Sequence, residues 1–197
     1  MARSSERLEQ VLDELEGIYL AQGFRKLGMG ELAARVRCSR RTLYALAPTK
    51  PELFLRVLDR FLRRIRALGA DGVAKSRDPR EALEALLAPG IEETRRASDA
   101  FTADVASHLP ARRMLDRHQR ARMTLLRELV EEGIRTGVFR GVHAELVAEV
   151  MLAAVSRVRD PRLLRRAGLS MSEAFAECSR LIRHGLLHPK DTRRAGE

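Results

Sequence analysis

The spacing of the apolar residues is the feature that most restricts how this chain can fold. From Leu8 to Leu186, apolar side chains recur three or four positions apart, which is the period of one face of an α-helix. No segment keeps the period-two alternation of a half-buried β-strand, and glycine and proline interrupt the helical pattern at intervals. The sequence therefore predicts an all-α fold, and a 197-residue chain that is 45% hydrophobic can bury a sizeable core.

Three helices are predicted before residue 50. Ser39 is the predicted N-cap of the third, because its hydroxyl can accept a hydrogen bond from the backbone N–H of Arg41 or Thr42. The second and third helices are short and are joined by a turn of three or four residues, which is the pattern of a helix-turn-helix. The three predicted helices lie at about 8–22, 29–36 and 40–46.

A larger helical region is predicted from Pro51 onward, because proline suits the first turn of a helix. Ser170 and Glu173 are predicted to form a capping box, and Pro89-Gly90, Pro110 and Gly137 to separate helices. The helices of this region are predicted from Pro51 to Gly69 or Gly72, around Glu81–Leu87, and at about 91–108, 111–136, 144–159 and 171–187. The predicted domains are residues 1–50 and 51–188, followed by a flexible tail at 189–197.

The charge of the chain favours a polyanionic partner. Lys and Arg number 37 against 27 Asp and Glu, which gives a formal net charge of +10. Residues 1–66 carry +6 of this charge, so the segment with the predicted helix-turn-helix is the more basic one. Nucleic acid is the first partner that this indicates and an anionic membrane surface the second, although an arginine-rich proteome would give the same excess.

The predicted third helix presents basic and polar side chains on its outer face. The apolar residues of the two short helices face each other, which leaves Arg40, Arg41, Thr42 and Tyr44 outside. In a helix-turn-helix, the N-terminal half of the second helix enters the major groove, where arginine can donate two hydrogen bonds to guanine O6 and N7. Arg40 and Arg41 are therefore predicted to read bases.

This segment resembles the N-terminal signature of the TetR (tetracycline repressor-like) family of transcriptional regulators. The resemblance covers about residues 7–57 and is most specific at Ser39–Tyr44, followed by Lys50–Leu53. It implies an N-terminal three-helix helix-turn-helix DNA-binding domain, followed by a larger helical ligand-binding and dimerisation domain. The other matching segments are Val11-Leu12-Asp13, Gly23-Phe24 and Glu31-Leu32-Ala33.

The resemblance also implies roles for single residues. Thr42 would contact a base or a phosphate, and Tyr44 would donate its phenol to a phosphate. Lys50 would contact a phosphate beside the N-terminus of the next helix, where the helix dipole favours an anion. The predicted DNA-binding residues are Arg37, Ser39, Arg40, Arg41, Thr42, Tyr44 and Lys50.

Three positions depart from the pattern of the family. Arg37 stands where the family usually has the turn glycine, Gly28 where it has a Ser or Thr cap, and Ala47 where it has Phe. The turn is predicted to be strained if Arg37 needs a positive φ, and the loss of the aromatic ring predicts looser packing.

Several residues of the motif also have simpler interpretations. Arg40 and Arg41 could form a solvated helix face, and Tyr44 could pack against the first helix. Cys38 is interpreted as a packing residue of the turn rather than a redox sensor, because Cys178 is far away in the sequence.

A small apolar effector is predicted to bind among the helices between Ile91 and Met151. This region mixes apolar residues, adaptable methionines and a few polar side chains, as ligand pockets do, although the same residues could simply fill a core. His108 and His118 lack the spacing of zinc ligands and are predicted to line or cap the pocket. The predicted lining is Phe101, Val105, His108, Met114, His118, Met123 and Met151.

A homodimer is predicted from the helices at 144–159 and 171–187. Both carry apolar residues at four-residue steps, which suits a four-helix bundle about a two-fold axis, unless both stripes face the chain's own core. One short reading helix contacts few base pairs, so specific binding needs a second copy at a second half-site. The predicted interface is Val147, Met151, Ala154, Phe175, Cys178, Leu181 and Ile182.

The sequence predicts a sequence-specific DNA-binding transcriptional regulator, a repressor that a small-molecule effector releases from a palindromic operator. The alternative is a non-specific cationic protein that binds DNA or a membrane surface. Distributed charge would suffice for that alternative, whereas a capped helix with the Ser39–Tyr44 pattern indicates oriented docking on double-stranded DNA.

No catalytic, metal or cofactor site is predicted. The sequence contains no glycine-rich phosphate loop, no nucleophile elbow and no HExxH motif, so an all-helical enzyme is disfavoured. Two distant cysteines support neither a disulfide framework nor a metal site. Because no signal peptide and no apolar run of about 20 residues is found, we expect a cytoplasmic protein without a membrane anchor.

Overall fold

The computed structural model of the chain describes residues 2–187. In this range the chain forms ten α-helices and no β-strand, which confirms the predicted all-α fold. The helices are α1 Ala2–Gln22, α2 Met29–Arg35, α3 Arg40–Leu46, α4 Lys50–Lys75, α5 Pro79–Thr94, α6 Asp99–Ser107, α7 Leu109–Arg135, α8 Ala144–Arg157, α9 Pro161–Ala167 and α10 Met171–Leu186. None of these helices is both long enough and apolar enough to span a bilayer. The predicted tail at 189–197 lies outside the described residues.

The described chain divides into two compact units. The first comprises the residues up to Arg63 together with Arg96–Met114, and the second comprises Arg64–Arg95 together with the residues from Leu115 onward. Helix α6 therefore belongs to the first unit, where it packs against α1, although it follows α5 of the second unit in the sequence. The functional boundary at residue 50 stays a prediction.

An aromatic cluster fills the core of the first unit. Phe54 of α4 is fully buried and stacks on Phe24, with 4.2 Å between the ring centroids. Tyr19 and Phe101 meet Phe54 edge-on, at centroid distances of 5.5 and 6.1 Å. These contacts join α1, α4 and α6 behind the two short helices.

The second unit is built around α10, which packs against α5 and α8. Its start is fixed by the predicted capping box: Glu173 donates its N–H to Ser170 Oγ at 3.2 Å, and Ser170 donates its N–H to Glu173 Oε2 at 2.7 Å. The hydrophobic interior of this unit includes Leu83, Leu126, Val130 and Leu186.

The predicted helix break at Pro89-Gly90 is wrong. Pro89 lies inside α5, where it cannot donate a backbone hydrogen bond to the preceding turn. Arg122 of α7 lies beside this turn: its Nη2 donates to Leu86 O at 2.6 Å, and a side chain at Gly90 would obstruct this arginine. The break falls at residues 95–98, where Ser98 caps α6.

Helices α4 and α9 also differ from the prediction. Helix α4 continues past Gly69 and Gly72 to Lys75, and Gly72 allows close approach to Ala85 of α5. Helix α9 was not predicted, although its signals are in the sequence. Asp160 caps it, Pro161 stands in its first turn, and Gly168 ends it with a φ of 66°.

Candidate nucleic-acid interface

Helices α2 and α3 form the predicted helix-turn-helix geometry. Ser39 Oγ accepts a hydrogen bond from the Thr42 N–H at 3.0 Å, which confirms the predicted N-cap, and it lies 2.9 Å from Thr42 Oγ1. Leu43 is fully buried and Leu46 is buried. The inner face and the start of α3 are therefore both fixed by local contacts.

The outer face of α3 is open at three of its predicted DNA-binding residues. Arg40 and Arg41 are exposed, and Tyr44 is 50% exposed. The Arg40 guanidinium lies against Gly30 of α2: its Nε and Cζ are 3.0 Å from the point that a Cβ on Gly30 would occupy. A side chain at position 30 would therefore displace this arginine.

The turn between α2 and α3 is a Schellman motif with arginine at the glycine position. Cys38 donates its N–H to Ala33 O at 2.9 Å and Arg37 donates its N–H to Ala34 O at 3.2 Å. Arg37 has a φ of 48°, the one positive value among the non-glycine residues that the structure describes. The strain predicted for this substitution is therefore present.

Arg7 of α1 holds this turn from behind. Its Nη2 donates to both Val36 O and Arg37 O at 3.1 Å, so a charged donor satisfies two carbonyls at the strained position. Arg7 was not among the predicted site residues. No local pattern could identify it, because its partners lie 29 and 30 positions along the chain.

Lys50 and Arg56 of α4 also donate to backbone carbonyls near the motif. Lys50 Nζ donates to Arg25 O at 2.9 Å and to Leu27 O at 3.0 Å, in the loop between α1 and α2. Arg56 Nη1 donates to Leu46 O at 2.8 Å, at the C-terminus of α3. Lys50 therefore has a structural partner in the absence of DNA, in addition to its predicted role at a phosphate.

Asp104 of α6 fixes the chain where it leaves α1. Its Oδ2 accepts hydrogen bonds from the N–H groups of Phe24 at 2.6 Å and Arg25 at 3.1 Å. Gly23 adopts a φ of 71°, and a Cβ there would collide with this carboxylate. Asp104 was not predicted either, since its partners are about 80 residues away.

The other departures from the family pattern have modest effects. Gly28 occupies the N-cap position of α2 and makes no side-chain cap. Ala47 is buried, so the position of the missing aromatic ring is covered by other residues. Cys38 is half-buried and burial raises the pKa of its thiol, which fits a packing residue.

The predicted effector-pocket residues are divided between the two units. Phe101 and Val105 are buried in the first unit, with Phe101 against Phe54 and Phe61, as the core-filling alternative expected. His108 lies 5.6 Å from the Phe24 ring, and Met114 is half-buried in the same unit. His118, Met123 and Met151 are buried in the second unit.

A small cavity lies in the second unit. It includes one residue of the predicted pocket, Met151, and its free volume is about 10 Å³, enough for one water-sized sphere. The cavity is lined by Leu87, Gly90, Ile91, Gln119, Arg122, Met151, Val155, Phe175 and Ser179.

The predicted dimer residues also differ in exposure. Met151 and Phe175 are buried inside the single chain, so they offer no surface to a second copy and must be corrected to core residues. Leu181 is 73% exposed, whereas Val147, Ala154, Cys178 and Ile182 are half-buried. Leu146 and Val150 of α8, which neighbour the predicted interface residues Val147 and Met151 in the sequence, are 62% and 52% exposed.

Among residues 2–187, no three His, Cys, Asp or Glu side chains are placed so that they could hold a metal ion together.

Comparisons with known proteins identify the fold. No protein-family model and no curated protein matches the sequence. Solved structures match most of it: a Saccharomonospora viridis protein in complex with choline has a TM-score of 0.74 and 16% identity, over 93% of this chain and 99% of that one. A TetR transcription regulator from Haloarcula marismortui has a TM-score of 0.73 and 17% identity, over 93% and 100% of the two chains. A TetR-family regulator from Agrobacterium tumefaciens has a TM-score of 0.70 and 18% identity, over 93% and 99%. The chain therefore has the fold of the TetR-family transcriptional regulators, as its sequence indicated.

Proposed function

We propose that this protein is a sequence-specific DNA-binding transcriptional regulator that places α3 in the major groove. The observation that carries the proposal is a helix capped by Ser39 and anchored by two buried leucines, with Arg41 and Tyr44 exposed on its outer face. Oriented side chains on a fixed helix suit base readout, whereas general attraction to DNA needs no such order. The names of the similar structures support the same function.

The proposal gives the predicted residues different roles. Arg40 and Arg41, which are both exposed on α3, read bases. The hydroxyls of Tyr44 and Thr42 position the protein on phosphates or base edges. Arg37 and Ser39 lie in the turn of the helix-turn-helix, Lys50 begins α4, and all three are proposed to contact the phosphate backbone.

Selection of bound DNA from a random pool tests sequence specificity. We expect a palindromic consensus with half-sites about one helical turn apart, or a multiple of that distance. Arg41→Ala should cost about 1–3 kcal/mol of binding free energy and relax the preference at one base pair, because a bidentate contact is lost. Fluorescence anisotropy with matched and mismatched duplexes measures both effects.

Two controls separate readout from charge. Arg120→Ala removes the same charge from an exposed position of α7 and should leave the consensus unchanged. Tyr44→Phe should weaken consensus and mismatched duplexes alike, because phosphate contacts carry no sequence information. Equal binding of all duplexes by the unmodified protein would favour the non-specific cationic alternative instead.

We also propose that two chains form a homodimer through α8 and α10. Leu146, Val150 and Leu181 form an exposed apolar set on these two helices, which pack against each other. Large apolar side chains on a shared surface favour burial against a second copy, and a two-fold axis matches a palindromic site.

Charge substitution on this surface tests the dimer. Val150→Asp with Leu181→Asp should give a folded monomer in sedimentation velocity, because both side chains are exposed and their loss leaves the core intact. Operator affinity should fall at least about tenfold when the second reading helix is no longer attached. Leu68→Asp is a matched control at an exposed leucine of α4. A monomeric unmodified protein that binds its operator tightly would contradict the dimer.

The regulator is proposed to act in the cytoplasm as a repressor that a small molecule releases from its operator. One similar structure holds choline, which supports ligand binding by proteins of this fold. A reporter gene behind the selected operator tests whether the protein represses or activates transcription. Expression of the reporter should fall when the regulator is supplied, and a rise would identify an activator.

A further inference from the structure

Arg122 of α7 is a half-buried cation that has no carboxylate partner among the described residues. Its polar contact in this part of the chain is the hydrogen bond from Nη2 to Leu86 O at 2.6 Å, which uses one of its five N–H donors. Burial lowers the pKa of Arg122 only to about 10, so the guanidinium stays charged at neutral pH. Removing a charge from water without providing an opposite charge is costly, so a bound anion would be a favourable partner for Arg122.

Other arginines of the same unit do have carboxylate partners. Arg64 pairs with Glu93 at 2.6 Å, Arg159 with Asp116 at 3.0 Å and Arg183 with Glu84 at 2.9 Å. Arg122 has no such partner among the described residues. The other arginines of this unit that lack a carboxylate partner, such as Arg120, are exposed to solvent.

Arg122 lines the cavity of the second unit together with a second unsatisfied polar group. Gln119, one helical turn earlier in α7, is 4% exposed, and its Oε1 is buried without a hydrogen-bond partner. A primary amide can present either Oε1 or Nε2 by rotation about its last bond, so Gln119 can accept from or donate to a ligand. The rest of the lining is mostly apolar.

Arginine charges act on the residue that adjoins Gln119 in the sequence. His118 precedes Gln119 and is buried, and its pKa is lowered to about 3 by burial and by the charges of Arg122, Arg66 and Arg159. A neutral His118 adds no charge of its own at neutral pH. An anion would meet a protonated Arg122 without competition from a fixed carboxylate in the cavity lining.

We propose that this cavity binds a small organic carboxylate, which pairs with Arg122 and Gln119 and lays its apolar body against Met151, Val155 and Phe175. A planar guanidinium suits a carboxylate, since it can donate two parallel hydrogen bonds. The free volume of about 10 Å³ means that the ligand must displace side chains, and the flexible Met151 is suited to move. That such a ligand acts as the effector rests on the proposed function, whereas its binding does not.

Calorimetry and thermal unfolding of the full chain without DNA test the site. Benzoate is the probe, and benzamide, which has the same shape and no charge, is the matched ligand. We expect benzoate to raise Tm and to bind at least about tenfold more tightly than benzamide, because the amide leaves the buried cation unpaired. Butyrate tests whether an aliphatic body is also accepted.

Substitutions assign the binding to Arg122. Arg122→Met should abolish the Tm shift with benzoate, Arg122→Lys should keep part of it, and Arg120→Met at an exposed position of α7 should keep all of it. Each variant's own Tm without ligand is its baseline. Gln119→Leu leaves the charge in place and should weaken benzoate several-fold, which keeps the test decisive if Arg122→Met does not fold.

Three results with the organic probes would overturn the proposal. They are equal binding of benzoate and benzamide, undiminished benzoate binding by Arg122→Met or Gln119→Leu, and no binding of either carboxylate at about 10 mM, a concentration that detects even weak millimolar affinity. Equal stabilisation by chloride would reduce the site to one for inorganic anions and would also overturn it. Because no DNA is present, failure here is distinguishable from failure of the proposed DNA-binding function.

Discussion

Arg37 holds the turn of the helix-turn-helix in a backbone conformation that favours glycine. Its φ of 48° places Cβ close to neighbouring backbone, which costs an L-residue about 1–2 kcal/mol. The hydrogen bonds from Arg7 to Val36 O and Arg37 O offset part of this cost. The strained backbone of Arg37 thus lowers stability at a position where its positive charge is available to the proposed DNA site.

Arg37→Gly should therefore stabilise the protein while it weakens DNA binding. We expect the free energy of unfolding to rise by about 0.5–1 kcal/mol relative to Arg37→Ala, because glycine relieves the strain but gains entropy in the unfolded chain. Both variants remove the charge, so they should lose the same DNA affinity. Urea unfolding and anisotropy measure the two quantities; an alanine variant as stable as the glycine variant would argue against strain in the turn.

The residues that sequence could place in the site are those whose partners are local. Ser39 caps α3 through Thr42, three positions away, so its role was readable from residue type and spacing. Arg7 and Asp104 act through the backbone of distant segments, and Arg40 folds onto Gly30 of another helix. Such contacts depend on tertiary packing, which no local pattern contains.

The C-terminal end of α7 shows how a glycine determines the path of the chain after a helix. Phe139 folds back onto Gly133 and donates its N–H to Gly133 O at 2.9 Å. The Phe139 ring occupies the space that a Cβ on Gly133 would need, and the ring is 2% exposed. Gly137, with a φ of 72°, makes the reversal between them.

Gly133→Ala should destabilise the protein although alanine favours helices. We expect a loss of about 1–3 kcal/mol in the free energy of unfolding, because the ring must leave a packed position. Gly141→Ala is the control, since nothing lies within 4 Å of its added Cβ, and it should change stability by less than about 0.5 kcal/mol. Chemical denaturation checks both; equal effects at the two positions would mean that Phe139 adapts freely.

Helix boundaries could be predicted where capping residues determine them. They could not be predicted where contacts with other helices determine them. The limits of α3 and the capping box of α10 follow from Ser39 and Ser170 with Glu173. Pro89 lies inside α5, and Arg122 from another helix donates a hydrogen bond to Leu86 O in the turn before it. A proline-glycine pair normally indicates a break, so tertiary structure overrides the local preference here.

At the scale of the whole molecule, the buried His118 makes stability depend on pH. Burial, with the charges of Arg122, Arg66 and Arg159, lowers its pKa to about 3, whereas an unfolded chain has the ordinary value near 6.5. Below pH 6.5 the unfolded chain therefore binds a proton that the folded chain does not. The stability associated with neutral His118 is complete above pH 6.5 and falls as the pH decreases from 6.5 to 3.

His118→Gln should flatten this part of the acid dependence. We expect the wild type to lose about 1.4 kcal/mol more than the variant for each pH unit below 6.5, until the folded pKa is approached. Urea unfolding between pH 7 and pH 4 measures the difference between the two proteins, which cancels the contribution of their shared carboxylates. His184→Gln, at an exposed position of α10, is the control and should retain the steep wild-type profile. Parallel profiles for wild type and His118→Gln would show that His118 is protonated in the folded state.

The exposure of the outer face of α3 also has a consequence for engineering. Arg41 and Tyr44 are exposed and make no hydrogen bond to the rest of the described chain, while Ser39, Leu43 and Leu46 fix the helix from its start and its inner face. Arg41 and Tyr44, which are proposed to meet DNA, are thus separate from the residues that fix α3. A library randomised at positions 41 and 44 should consist largely of folded proteins, and its members would serve as a ready source of regulators with new target sequences.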